Sequence, residues 1–339
     1  MATITARTGP VGPPGAEVVV RQPSVWESIR KNKVAYLYIA PAAFVMLLIT
    51  IWPLLFQIWM SFTDFGPRNL NVRANDPADW VWVRNYTDVL TGNLPIINYD
   101  FWRILIFNLW WAFSNVFFHV TIGVAVALLL NRKRLLFRGF YRAIFIIPWA
   151  LPAFVASLIW KNMFDTKFGA INQIFGAEIP WLETSAQNIT PIPFLPFLPL
   201  AYYAVLIANV WLGWPFMSVV ATGALQSVPG ELYEAAEMDG ATKWQQFWSI
   251  TVPSIRPAMV PAIMLGTIWT FNQFNVIYFI SQGGPYGKTE ILVTQAYKLV
   301  NPQNLYGVAS AFSIIVFFIL LAITLINNRI TRATESMNG

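Results

Sequence analysis

Six apolar stretches, each free of Asp, Glu, Lys and Arg, constrain this chain more than any other feature. A helix needs about 20 apolar residues to cross a bilayer core of about 30 Å. Lipid offers no hydrogen bonds, so segments of this kind cross as helices. The sequence therefore predicts an all-α membrane protein with about six transmembrane helices. They are placed at Val34–Phe62, Ile104–Leu130, Ala143–Trp160, Pro199–Gln226, Pro257–Ile280 and Tyr306–Asn328.

The distribution of Lys and Arg predicts how the spans are oriented. With both termini in the cytoplasm, most of the 22 Lys and Arg residues flank the spans on the inside, as the positive-inside rule requires. The net charge of +6 then reflects topology, and no nucleic-acid partner is predicted. Only 11% of the residues are charged, against roughly 25% in soluble domains. We therefore predict a multi-pass protein of a bacterial or archaeal cytoplasmic membrane, with membrane lipid as a partner.

The same pattern divides the chain into segments. Residues 1–33 include a Gly- and Pro-rich run and are predicted to be a disordered cytoplasmic tail. Residues 34–103 hold the first span and an external loop, residues 104–330 a transmembrane core, and residues 331–339 a short cytoplasmic tail. There is no Cys, and His119 is the single His. No metal, cofactor or catalytic residue is predicted, and His119 is interpreted as a packed or hydrogen-bonded residue without a chemical role.

The spans carry no Asp, Glu, Lys or Arg that could bind a coupling ion at mid-membrane depth. Uncharged groups can still coordinate sodium, so an ion-coupled secondary sugar carrier stays open as the alternative. A membrane enzyme would need a carboxylate pair or metal ligands at one face. A segment that resembles a phosphate loop, Gly283–Thr289, has Gln282 where the pattern needs Gly and lies on the predicted outer side. It is interpreted as an external turn, so the energy for transport would come from another chain.

The loop between the fourth and fifth spans, about residues 227–253, predicts two short helices. Pro229 suits a first helical turn, and Asp239-Gly240 breaks the helix because Gly accepts a positive φ. A second short helix follows and is predicted to end at Pro253. The loop could rest on lipid or fit a shallow cleft on another protein, and its four acids match anionic lipid poorly.

This loop resembles the EAA loop of binding-protein-dependent ABC importer permeases. The resemblance rests on Glu234-Ala235-Ala236, Asp239-Gly240-Ala241, Phe247, Ile250 and Pro253, with Val252 where the family usually has Leu. It implies the type I ABC importer permease fold and a non-catalytic subunit, with ATP hydrolysis on a partner ATPase. The implied ATPase-coupling residues are Glu234, Ala235, Ala236, Asp239, Gly240 and Ala241.

Two spans carry amides among aromatic residues, which suits a neutral sugar because amides pair with hydroxyls and rings stack on pyranose C–H faces. The same amides could instead join helices. Asn209-Val210-Trp211-Leu212-Gly213, Asn272-Gln273-Phe274 and Gly283-Gly284-Pro285 resemble the maltose-type first permease subunit. That resemblance implies substrate-binding roles for Asn209, Leu212, Gly213, Phe216, Trp269, Thr270 and Gln273.

The resemblance also implies the partners of a sugar importer. These are a second permease subunit in a heterodimer, two cytoplasmic ATPase subunits and an extracytoplasmic sugar-binding protein. The binding protein is expected to dock on the segment from Lys161 to Leu198 and on the loop Ser281–Gln303.

Overall fold

A computed structural model describes residues 30–71, 76–132, 135–185 and 198–336. Most of the predicted N-terminal tail, residues 1–29, lies outside the described residues. The chain divides into two compact units, residues 1–57 and 58–339. The helices are α1 Lys33–Met46, α2 Trp52–Ser61, α3 Arg84–Thr91, α4 Phe101–Leu130, α5 Arg138–Ala150, α6 Ala153–Met163, α7 Ala170–Phe175, α8 Leu200–Gln226, α9 Gly230–Met238, α10 Lys243–Gln246, α11 Val252–Phe271, α12 Phe274–Val276, α13 Leu292–Val300 and α14 Tyr306–Ser336.

The described residues confirm the all-α prediction. Five helical segments are long and apolar enough to cross a membrane, and a bent pair of helices makes six if it counts as one span. The spans are Lys33–Ser61, Phe101–Leu130, Arg138–Met163 with its bend, Leu200–Gln226, Lys243–Ser281 and Tyr306–Ile326. Among the described residues the only β-type pairing is an isolated bridge between Thr63 and Trp80.

The third span, predicted at Ala143–Trp160, consists of two helices. Its halves, α5 and α6, meet at an angle of 92°. Pro152 has no backbone N–H, and its ring disfavours the helical conformation at the residue before it. Leu151 accordingly adopts an extended conformation with ψ of 140°. The bend directs the end of α5 towards the interior of the bundle, where it helps to form the cavity described below.

The fifth span differs from the prediction at both ends. Pro253 does not end the second loop helix, because the chain stays helical from Lys243 through a π-turn at Phe247–Thr251 into α11. The N–H of Val252 bonds to the carbonyl of Phe247 in the wide π spacing, which accommodates the proline that follows. At the other end α11 stops at Phe271, and the chain resumes as α12 from Phe274.

The core of the second unit forms around α4 and α8. Trp111 and Phe107 of α4 pack against Tyr202 and Val205 of α8, all of them buried. The start of α4 is fixed by Asp100, whose Oδ1 accepts from the N–H groups of Trp102 and Arg103 at 3.0 and 3.1 Å. The packing of α4 against α8 places the polar side chains of α4 beside those of α8 and α11.

Candidate functional site

The seven residues predicted to bind substrate line one cavity between the spans. Its volume is about 220 Å³. Asn209, Leu212, Gly213 and Phe216 come from α8, Trp269 and Thr270 from α11, and Gln273 from the break after α11. Six further residues complete the lining, namely His119, Trp149, Leu151, Ala153, Met217 and Gly266. The cavity is thus built from α4, the bend between α5 and α6, α8 and the end of α11.

Among the described residues that line this cavity there is no Asp, Glu, Lys or Arg. Three aromatic rings follow one another along one side. Trp149 lies 5.9 Å from Phe216, and Phe216 lies 5.4 Å from Trp269, measured between ring centroids. Flat apolar faces beside amides can bind a neutral, hydroxyl-rich ligand. Sequence reasoning missed Trp149, although its place between Pro148 and Pro152 is a signal that the chain turns there.

The break after α11 removes the α-helical partners of two backbone carbonyls. Side chains of α4 donate to both, and the N–H of Gln273 also donates to the carbonyl of Thr270 at 3.2 Å. Trp111 Nε1 donates to the carbonyl of Thr270 at 3.1 Å, and Asn108 Nδ2 donates to that of Phe271 at 3.1 Å. Asn108 Oδ1 also accepts from the N–H of Leu292 at 2.9 Å, at the start of α13. These bonds hold an irregular backbone at membrane depth, which is tolerated only where protein satisfies it.

A chain of three amides crosses from α4 to the break. Asn115 Nδ2 donates to the carbonyl of Trp111 at 2.8 Å, and a carbonyl can only accept, so the orientation of the Asn115 amide is fixed. Asn115 Oδ1 then accepts from Asn209 Nδ2 at 2.7 Å, and Asn209 Oδ1 accepts from Gln273 Nε2 at 3.3 Å. Gln273 Oε1 has no bonding partner in the described part of the chain, so it faces the cavity as an acceptor.

His119 lies against the wall of the cavity. Its Nε2 lies 3.0 Å from the carbonyl of Asn209, which identifies Nε2 as the protonated nitrogen because that carbonyl can only accept. The imidazole occupies the space beside the backbone of Gly213, and a Cβ at that position would overlap the ring. The prediction of a packed, hydrogen-bonded histidine is confirmed, while its place in the lining was not foreseen.

Sequence reasoning missed the supporting residues of α4. Asn108, Trp111, Asn115 and His119 recur at helical spacing on one face of an otherwise apolar span, and Asn108, Trp111 and Asn115 are fully buried. A polar stripe of this kind in a span marks a face turned towards protein or water. That periodicity is the signal that could have found them.

The loop between α8 and α11 has the predicted break. α9 ends at Met238 with Asp239 as its C-cap, and Gly240 has φ of +78°. The N–H of Ala241 bonds to the carbonyl of Ala236 at 2.9 Å, and that of Gly240 to Glu237 at 3.1 Å. This pair of bonds is the Schellman arrangement, which needs a left-handed residue after the helix. Thr242 then caps α10 in a capping box with Gln245.

The predicted coupling residues of this loop differ in exposure. Glu234, Ala235, Asp239 and Gly240 are exposed, whereas Ala236 and Ala241 are half-buried. Leu232 is also exposed, so it shares an accessible surface with Ala235.

Two side-chain contacts hold the loop in place. The Tyr233 hydroxyl lies 2.9 Å from Thr251 Oγ1 and ties α9 to the turn that enters α11. Lys243 pairs with Glu237 and lowers the pKa of that carboxyl, mainly by hydrogen bonding and charge attraction. The exposed surface of this loop is short. It carries mostly acidic side chains, with apolar side chains in its middle.

The loop at the other end of the fifth span is a tight turn, as predicted. Gln282, Gly283, Tyr286 and Gly287 all have positive φ. Glu290, 2% exposed, accepts from Lys298 Nζ at 2.6 Å. Thr289 is buried and its hydroxyl donates to the carbonyl of Gly284 at 2.6 Å. A phosphate loop would leave that hydroxyl free for a metal ion, so the geometry agrees with the turn and not with a nucleotide site.

The sequence of residues 119–336 matches the model of the family described as "Binding-protein-dependent transport system inner membrane component". The chain belongs to this family. A multi-pass inner-membrane permease subunit is therefore the identity of the chain, in agreement with its fold, its spans and its EAA-like loop.

The chain is similar to several permeases across most of its length. It is 33% identical to the galactooligosaccharides transport system permease protein GanP of Bacillus subtilis, over 88% of this chain and 70% of that protein. It is 33% identical to the trehalose/maltose transport system permease protein MalF of Thermococcus litoralis, over 89% of this chain and 95% of that protein.

The fold is shared with a solved transporter. A bacterial ABC transporter involved in the import of the acidic polysaccharide alginate contains a chain that superposes with a TM-score of 0.69 at 19% identity. The superposition covers 92% of this permease and 99% of that chain. The permease thus has the fold of an ABC importer membrane subunit.

Proposed function

We propose that this permease forms part of the translocation pathway of an ATP-driven importer of a neutral sugar. The observation that carries the proposal is the convergence of seven predicted residues on one uncharged, aromatic-lined cavity. Its volume of about 220 Å³ lies below the usual range of about 300–1,000 Å³ for small-molecule sites. A cavity of this size suits one sugar ring. The permeases named for galactooligosaccharides and for trehalose and maltose fit this substrate class.

In this proposal each cavity residue has a role. The rings of Trp149, Phe216 and Trp269 stack on the C–H faces of the sugar. Gln273 Oε1 accepts a hydrogen bond from a sugar hydroxyl, and Asn209 supports the Gln273 amide. Leu212, Gly213 and Thr270 shape the wall between the aromatic and amide sides. A site without charges selects against acidic or basic solutes because a desolvated charge would find no partner.

The ATP-hydrolysing partners would act through the loop. Glu234 and Ala235 are the exposed contacts, and Ala236, Asp239, Gly240 and Ala241 shape the turn beside them. The helix from Lys243 to Phe271 is continuous through its π-turn, so displacement of the loop would move Trp269 and Thr270. Alternating access would then be a rigid-body change between two packed arrangements.

The remaining parts of the assembly follow the same logic. Both termini and the loop would face the cytoplasm, where two ATPase subunits bind. A second permease chain would complete the pathway as a heterodimer. A sugar-binding protein would dock on the opposite face, at Ser281–Gln303 and the segment after Lys161, of which residues 186–197 lie outside the described residues.

The test is ATP-dependent uptake by the reconstituted importer. Trp269→Ala is expected to raise the KM for sugar while ATP hydrolysis stimulated by the binding protein continues. Ala235→Trp, which enlarges the exposed loop surface, is expected to abolish both uptake and stimulated hydrolysis. Uptake that survives ATP depletion and stops when an ion gradient is collapsed would refute the proposal and support an ion-coupled carrier.

A further inference from the structure

A second cavity, of about 340 Å³, lies between α5, α8 and the last residue of α4. It shares no lining residue with the sugar cavity. Leu130 and Gln226, which end α4 and α8, both line it. The cavity therefore lies at the end of the bundle that carries the EAA-like loop, at the depth where spans emerge into the headgroup region.

Arg142 lines this cavity and forms no ion pair within the described residues. Its Nε and Nη2 atoms are buried and have no hydrogen-bond partner in the part of the chain that the structure describes. Arg stays protonated in proteins, and a buried charge is stable only when it is paired and hydrogen-bonded. Ser218 and Thr222 line the same cavity with hydroxyl groups, and Gln226 adds an amide. One fixed cation surrounded by neutral donors requires an anion.

We infer that the cavity binds a phosphate group, supplied by the headgroup of an anionic phospholipid. Phosphate oxygens match the planar fork of Arg and leave further oxygens for the two hydroxyls. Phe145, Ile146 and Val219 give the cavity apolar walls on its span side, as the glycerol and first acyl carbons would need. Within the described residues, no acidic side chain lines it.

The sequence beside the cavity would concentrate such lipids. The connection from α4 to α5 carries Arg132, Lys133 and Arg134 and no acidic residue. Clusters of basic residues at a membrane surface attract anionic lipids at about 1 kcal/mol per residue. A lone carboxylate from a partner subunit would fill only a small part of about 340 Å³. The volume therefore favours a phosphodiester with its glycerol over a protein side chain.

The test compares lipid retention by native mass spectrometry of the full-length permease, taken from nanodiscs that contain phosphatidylglycerol or only phosphatidylcholine. Wild type is expected to retain one more phosphatidylglycerol than Arg142→Gln, with about tenfold lower occupancy in the variant. Arg138→Gln is the matched control. It removes the same charge from the same helix, but Arg138 donates to the carbonyl of Arg132 and does not line the cavity.

Two further measurements separate the possible sources of the anion and guard against misfolding. Thr222→Val keeps every charge and is expected to lower retention partially. Millimolar inorganic phosphate is added to wild type. A phosphate adduct, together with lipid counts that are the same in wild type and the variants, would show that the cavity binds free phosphate and not a lipid headgroup. Equal lipid retention in wild type, Arg142→Gln and Thr222→Val, with no phosphate adduct, would overturn the inference and leave a partner carboxylate as the occupant.

Discussion

Asn209 Nδ2 donates a hydrogen bond of 2.7 Å to Asn115 Oδ1, and this bond directs Asn209 Oδ1 towards Gln273. Asn115 is fully buried and does not line the sugar cavity. One side chain of α4 outside the cavity therefore orients two amides inside it. The backbone carbonyl of Trp111 sets the orientation of the whole chain of amides, because Asn115 Nδ2 donates to it.

We predict that Asn115→Leu raises the KM for sugar uptake by about two- to tenfold, since it frees the Asn209 amide to rotate and disturbs one hydrogen bond to the ligand. It also leaves Asn209 Nδ2 without its acceptor, which is expected to lower the melting temperature. Asn272→Leu is the control, because the Asn272 amide bonds, among the described residues, only to the carbonyl of Ile268 in the preceding helix α11 and does not line the cavity. Equal KM values for the two variants would contradict the orienting role.

We predict that Gly213→Ala destabilises the protein by about 1–3 kcal/mol, the usual effect of overpacking, because the new methyl group overlaps the His119 ring. The measurement is thermal unfolding in detergent. In the double variant Gly213→Ala, His119→Ala the methyl group has room, so the loss should be smaller than the sum of the two single losses. Additive losses would show that the two residues do not compete for this space.

We predict that Trp149→Ala weakens sugar uptake while Trp149→Phe largely preserves it. An aromatic contact is worth about 0.5–1.5 kcal/mol beyond buried area, which corresponds to a KM change of about two- to twelvefold. Trp102→Ala removes a ring of the same size at the exposed start of α4, outside the cavity. A KM that responds equally to Trp102→Ala and Trp149→Ala would remove Trp149 from the proposed binding surface.

We predict that Gly240→Ala weakens capture of the partner ATPase. Its φ of +78° lies in the left-handed region, which costs an L-residue about 1–2 kcal/mol. Gly240→Asn should be tolerated better because Asn enters this region more easily. Gly230→Ala, at the start of α9 with ample space for a Cβ, should capture the ATPase as wild type does. Normal capture by Gly240→Pro would exclude this turn from coupling.

Much of this architecture is readable from the sequence because its signals are local. Apolar length defines the spans, and Asp239-Gly240 marks the end of α9. The cavity residues of α8 and α11 were predicted through a resemblance and lie together in the structure. The spans and the end of α9 depend on residues close together in the chain, whereas the cavity residues of α8 and α11 lie far apart in it.

The missed features depend on contacts between distant segments. α11 stops at Phe271 because Trp111 and Asn108, about 160 positions earlier in the chain, satisfy the carbonyls that the break releases. A scan of the local sequence sees only an apolar run continuing to Ile280. The bend at Pro152 is likewise ambiguous locally, since spans often contain proline. The site of Trp149 follows from that bend and was missed with it.

The turn at Asn272 and Gln273, which interrupts the fifth span between α11 and α12, has a mechanical consequence. On one side lies α11, a helix of 20 residues whose N-terminal end continues from the loop proposed to bind the ATPase. On the other side, α12 and the turn at Ser281–Ile291 are braced by Asn108 and by the Glu290–Lys298 ion pair. The turn would act as a hinge between α11, which would move with the loop, and α12 with the Ser281–Ile291 turn, which would stay in place. Motion driven by ATP hydrolysis would then change the shape of the cavity. The Ser281–Ile291 turn, part of the surface proposed to bind the sugar-binding protein, would keep its conformation.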